Sequence, residues 1–174
     1  MLTTIALVAQ TTVVTAPADQ YFGKLNMSAL RIRYETMQLK KRYETHQLLP
    51  EQAEHLLLLT QDAFTQWARE YPKDSWLPST GYAIAALFAE LPGATARNRA
   101  VALYVYVKTN FPSSSYAKAS RTALHRGVAL KHDPAWAIAM RAPSPSPSPP
   151  APSSPSPSVS PSSSAAPGST PPPR

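Results

Sequence analysis

The sequence predicts an all-α fold, a short α-solenoid of about five antiparallel helices followed by a disordered Pro/Ser-rich tail. Three observations lead there. An aromatic–proline junction recurs: Tyr71-Pro72 precedes Ser75-Trp76 and Phe111-Pro112 precedes Ser115-Tyr116, an offset of 112 − 72 = 40 residues. The same offset pairs Phe64 with Tyr104, Trp67 with Val107, Ala83 with Ala123, Ile84 with Leu124 and Phe88 with Val128. The apolar residues Ala63, Phe64, Trp67 and Tyr71 are spaced as one face of a helix, and Leu103, Tyr104, Val107 and Phe111 repeat that spacing. Finally, prolines and capping side chains stand where such helices would stop and start.

Residues 1–18 are mildly apolar and carry Ala16-Pro17-Ala18, an A-x-A cleavage pattern, without the positively charged start of a secretory signal. They read as the remainder of a signal segment or as a disordered N-terminus, and Gln10, after Leu7-Val8-Ala9, is a second candidate mature start. Export, to the periplasm or beyond the cell, is the expectation. A helical domain then runs over residues 19–141, and its first helix is predicted over 25–48. There Arg33-Tyr34-Glu35-Thr36 recurs as Arg42-Tyr43-Glu44-Thr45, 42 − 33 = 9 residues later. That is a rotation of about 900°, which sets the copies on opposite faces. Ile32, Leu39 and Tyr43 share one side and Leu30, Tyr34 and Met37 the other. Burial on both sides, or a partner covering one, is implied.

Pro50, with Glu51 and Glu54 at the positive dipole end, opens a second helix predicted over 51–71. Pro72 stops it, and Asp74-Ser75 offers capping oxygens to a third over 76–90. Leu91-Pro92-Gly93 breaks the chain before a fourth over 96–110. Its run Val-Ala-Leu-Tyr-Val-Tyr-Val at 101–107 alone reads as a buried strand, but its partner forty residues earlier has helical spacing, so both are helices. Pro112 ends that helix, residues 113–115 cap a fifth over 116–131, and a sixth short turn lies at 136–141. Short connections make neighbours antiparallel. From 142 to 174 the chain is almost wholly Pro, Ser and Ala, too poor in apolar surface to offset the entropy of ordering.

With the repeat unit in view, the sequence resembles a tetratricopeptide array. Ala100, Tyr104, Val107 and Pro112 match the second half of that repeat, and Phe64, Trp67 and Pro72 match it more loosely, with Thr60 and Trp67 in place of small residues. The junctions at Tyr71-Pro72 and Phe111-Pro112 are similar to those of exported bacterial members, among them outer-membrane assembly lipoproteins and the Tol–Pal accessory protein. The likeness covers residues 51–131. The repeat is 40 residues long rather than about 34. Gly81 is the nearest candidate for the expected first-helix glycine, and no lipid-bearing cysteine exists. The resemblance implies a concave scaffold that binds proteins or peptides and carries no chemistry of its own.

Residue patterns for catalysis are equally sparse. Cysteine is absent, which removes disulfides, thiolate metal sites and cysteine nucleophiles. His46, His55, His125 and His132 form no ligand set; His125 and His132 are spaced seven apart, which on a helix is one face, and Glu51 with His55 lacks a second histidine. Ten acids are spread without a facing pair, and five glycines form no phosphate loop. The expectation is a non-enzyme with no cofactor and no metal.

The formal charge is +7, and no acid lies between positions 90 and 133, where Arg97, Arg99, Lys108, Lys118, Arg121, Arg126 and Lys131 all fall. A single-sign stretch favours an anionic partner. Most aromatics belong to the repeated core face, whereas Tyr106 falls off it and Tyr82 pairs with Thr122 in the other copy. Tyr82, Tyr106, Lys118 and Arg121 are therefore the candidate partner-binding residues. The expected partner is a protein or peptide in the cell envelope, with an anionic polymer on the basic face as the alternative; the charge is modest for nucleic acid. No apolar run is long enough to span a bilayer.

Overall fold

The computed structural model describes residues 15–141. The expectations for residues 1–14 and 142–174 lie outside the described residues. Within them the chain is all-helical: α1 Ala29–Glu44, α2 Pro50–Glu70, α3 Leu77–Glu90, α4 Ala94–Asn110, α5 Ser115–Arg126 and α6 Ala135–Arg141. Residues 101–107 lie inside α4, and no strand is present among the described residues. No helix among them is long and apolar enough to cross a membrane.

The two aromatic–proline corners have the same geometry. A proline disfavours helical dihedrals at its predecessor, and Tyr71 (φ −126°, ψ 61°) and Phe111 (φ −131°, ψ 53°) leave the helix alike. The amide of Tyr71 still donates to the Trp67 carbonyl at 2.8 Å, and that of Phe111 to the Val107 carbonyl at 3.1 Å. Three residues later Asp74 and Ser114 close the turn by donating their amides to the Tyr71 and Phe111 carbonyls at 3.0 and 2.9 Å. The two side chains at these positions then act differently. The Ser114 hydroxyl caps α5 by accepting from the Ala117 amide at 3.0 Å. Asp74 is wholly buried and does not cap α3 in that way. Its carboxylate accepts from the Trp76 amide (2.9 Å), the Trp67 indole (3.1 Å) and the Ala16 amide (2.9 Å).

Helix α3 packs on α1, α2, α4 and α5, α4 on α5, and α1 on α2. Apart from Glu90, α3 carries no charge, as befits a helix enclosed by neighbours. Its Leu77, Ile84, Leu87 and Phe88 are buried with Phe64, Trp67 and Val107. Gly81 permits close packing on both sides of α3: a Cβ there would stand 2.9 Å from Phe64 Cζ and 3.0 Å from Val107 Cγ2. Phe22 stacks on Trp67 with ring centres 6.4 Å apart, tying the segment before α1 to the core.

Three boundaries differ from the sequence expectation by more than two residues. The first helix begins at Ala29, not 25, because Phe22 and Met27 exchange backbone hydrogen bonds of 2.9 Å across a tight turn and the Ser28 hydroxyl then accepts from the Arg31 amide. It ends at Glu44, not 48: His46 adopts φ 58°, and the Gln47 amide donates to the Arg42 carbonyl at 2.8 Å, a left-handed helix end. The fifth helix stops at Arg126, not 131, where Gly127 takes φ 81°. Beyond it the chain folds back on the start of α4, with the Gly93 amide donating to the Lys131 carbonyl (3.0 Å) and Arg97 Nε to the Val128 carbonyl (2.7 Å). Val128 therefore does not occupy a helical position equivalent to Phe88. Helix α6 returns to the end of α1, where the Trp136 ring stacks on His46 at 4.4 Å, and Arg141 is hydrogen-bonded to Glu51 and Asp133.

Asp74→Ala leaves an indole N–H and two backbone amides without an acceptor and is expected to lower stability by about 2–4 kcal/mol. Asp74→Asn, which turns an NH₂ group toward the same donors, should also destabilise. Urea unfolding followed by tryptophan fluorescence checks both, and unchanged midpoints would contradict the assignment.

Candidate partner-binding surface

The four candidate residues do not converge on one site. Tyr82 and Lys118 come together where α3 meets α5, in a groove of about 350 Å³ lined also by Ser115, Thr122 and Arg126. Lys118, Thr122 and Arg126 recur at four-residue spacing, so one row of α5 forms the wall. Arg121 is exposed on α5 and lies outside the lining of this groove. Tyr106 lies elsewhere, in a groove of about 320 Å³ between α2 and α4, beside Phe64, Ala68, Arg69 and Leu103. Its ring meets Phe64 at 5.9 Å and Phe111 at 5.8 Å, both edge-on. Tyr82 and Tyr106 are each half-buried rather than surface groups.

Tyr82 is the aromatic residue that lines the α3–α5 groove, and its ring is held between tyrosines of two other helices. The Tyr82 ring centre is 5.5 Å from Tyr104 and 5.8 Å from Tyr116. Tyr104 is buried, and that burial, with Tyr82 and Glu90 nearby, pushes its hydroxyl pKa up to about 12. Burial also raises the Tyr106 pKa. Sequence reasoning missed Arg126, for which the i, i+4, i+8 series at Lys118, Thr122 and Arg126 is the available signal. Tyr116, grouped there with the core aromatics, is exposed and packs against Tyr82 without lining the groove.

The acid-free stretch keeps its charge in the fold. Lys131 pairs with Glu90. Arg97 and Arg99 are hydrogen-bonded to the Val128 carbonyl and the Gln61 side chain, both neutral. Lys108, Lys118, Arg121 and Arg126 have no carboxylate partner among the described residues. The cation row beside Tyr82 can hold a carboxylate or phosphate, and the tyrosine ring can meet an apolar or aromatic group.

Among the described residues no cluster of histidine and carboxylate side chains could hold a metal ion. His125 and His132 do not share a helical face, because α5 ends between them. Comparisons of the chain with protein-family models, curated proteins and solved structures found no match.

Tyr104 also gives the fold a dependence on alkaline pH. Its pKa is raised from 10.0 to about 12 on folding, so its contribution is complete below pH 10.0 and is lost as pH rises toward about 12. Urea stability measured across that interval should fall more steeply for the native chain than for Tyr104→Phe. Parallel curves would contradict the burial of that hydroxyl.

Proposed function

We infer that the chain is a non-enzymatic helical-repeat scaffold, resembling a tetratricopeptide array, that holds a protein or peptide segment bearing acidic groups in the α3–α5 groove. The observation that carries this reading is the unpaired Lys118–Arg126 row beside Tyr82. The repeat architecture is supported by the two corners, which share dihedrals and hydrogen bonds forty residues apart, and by odd-numbered helices touching one another, α1 on α3 and α3 on α5. In such an arrangement α1, α3 and α5, one from each antiparallel hairpin, form one layer, and a ligand lies across it.

The cell envelope is the location we favour. Of the two cleavage positions legible in residues 1–18, processing before Gln10 leaves Ala16 and its bond to Asp74 in the mature protein, whereas processing after Ala18 removes it. N-terminal sequencing of the processed chain should therefore read Gln10, and a start at Asp19 would contradict this.

An anionic polymer is the second reading, favoured by the cations spread over α4 and α5. The two readings separate on which residues matter. Peptide capture requires Tyr82 and Lys118 together, while polymer adsorption follows net charge wherever it is removed. A labelled Glu-rich peptide carrying one aromatic residue should bind at least about tenfold more weakly to Lys118→Glu/Arg126→Glu and to Tyr82→Ala. Equal losses for Tyr82-independent charge reversals such as Lys108→Glu would favour the polymer, and indifference to all of these would reject the site.

A further inference from the structure

The outward face of α1 is apolar, which neither the core nor the α3–α5 groove explains. Ala29, Ile32, Thr36 and Leu39 point into the core. On the opposite side Leu30, Tyr34 and Met37, at i, i+4 and i+7, are 63%, 55% and 65% exposed. The contrast is with α5, whose exposed residues include Lys118, Arg121, Thr122, His125 and Arg126. No described segment covers the α1 stripe. Three large side chains aligned on one helical face are spaced for another helix, whose side chains would settle between them over about two turns.

The charges around the stripe say what kind of helix. Helix α1 carries Arg31, Arg33, Lys40, Lys41 and Arg42 against Glu35 and Glu44, a balance of 5 − 2 = +3. Both glutamates are already engaged, Arg31 with Glu35 at 3.5 Å and Lys40 with Glu44 at 3.6 Å. Arg33 lies over the face of Trp76, 4.4 Å from the ring centre, and has no carboxylate partner among the described residues. Arg33 and Lys41 are each four residues from Met37, and Arg31 is three from Tyr34, so cations border the stripe on both flanks. A second copy would set this excess against itself: in parallel pairing like meets like, and in antiparallel pairing Lys41 and Arg42 meet Arg31 and Arg33. Three apolar side chains also make a short anchor for a bilayer. We propose that the outward face of α1 is a docking surface for an acidic amphipathic helix of a partner protein. This surface is separate from the α3–α5 groove and stands or falls independently of it.

The test uses the full chain and a synthetic amphipathic peptide of about 18 residues, leucines on one face and glutamates flanking them, with a twin in which lysines replace the glutamates. Fluorescence anisotropy is expected to show the acidic peptide binding at least about tenfold more tightly than its twin. Leu30→Glu/Met37→Glu should weaken that binding at least about tenfold, and so should Lys41→Glu/Arg42→Glu, which leaves the apolar side chains in place. All four positions are exposed, so circular dichroism and the urea midpoint should be unchanged, and Lys118→Glu/Arg126→Glu should bind like the native chain. Absence of binding, or binding indifferent to the α1 variants, overturns the proposal. So does a concentration-dependent dimer abolished by Leu30→Glu/Met37→Glu, which would make a second copy the occupant. Adsorption to phosphatidylglycerol vesicles that the same variant abolishes and the acidic peptide does not compete would assign the face to a membrane and also overturn it.

Discussion

The Asp74 carboxylate ties three parts of the chain together at one buried point. Buried at the α2–α3 corner, it takes hydrogen bonds from Trp67 on α2, from the Trp76 amide at the mouth of α3 and from Ala16 in the segment before α1. Removing a carboxylate from water is costly, and hydrogen bonds from convergent N–H groups are what offset that cost. The second corner does without this. Its Ser114 hydroxyl satisfies only the amide of Ala117, and no N-terminal segment is tethered there. One corner therefore tethers the entry of the chain as well as forming a turn between helices, and the Phe22 ring on Trp67 adds to that tether.

From that corner the packing spreads through α3. Gly81 lets Phe64 of α2 and Val107 of α4 approach the same turn of α3, so the central helix is gripped from both sides. The layer formed with α1 and α5 then sets two surfaces, the α3–α5 groove and the outer face of α1. The Tyr82–Lys118 groove exists because α5 leaves α3 with small and polar residues, Ser115, Ala119 and Thr122, facing the tyrosine. The α1 stripe stays open because Thr36, whose hydroxyl is returned to the Ile32 carbonyl at 2.8 Å, and Leu39 already complete the inner face.

Much of this is legible in the letters, for a physical reason: helix spacing and proline stops are local. The repeated face from Phe64 to Trp67 and from Tyr104 to Val107, and the stops at Pro72 and Pro112, require nothing beyond neighbours along the chain. The opposite sides of α1 are legible for the same reason. Long-range features are not. Nothing near Asp74 announces that its partner is Ala16, 58 residues away. The left-handed turn at His46 is taken by a residue without glycine's freedom, so the letters alone give a first helix longer than the real one. Tyr82 and Tyr106 are recognisable as leaving the repeated face, but their placement in two different grooves depends on which helices pack beside them. The row ending at Arg126 has a local signature, masked because a helix expected to run on to 131 has no end at that residue.

The Trp67 indole proton reports most directly on the central corner. Native-state hydrogen exchange, followed by NMR of the three tryptophan indoles, should find it exchanging only through global unfolding, with a rate that tracks urea stability. Exchange at the rate of a free indole would mean that Asp74 does not hold it. The corner, and the helix arrangement built on it, would then be wrong.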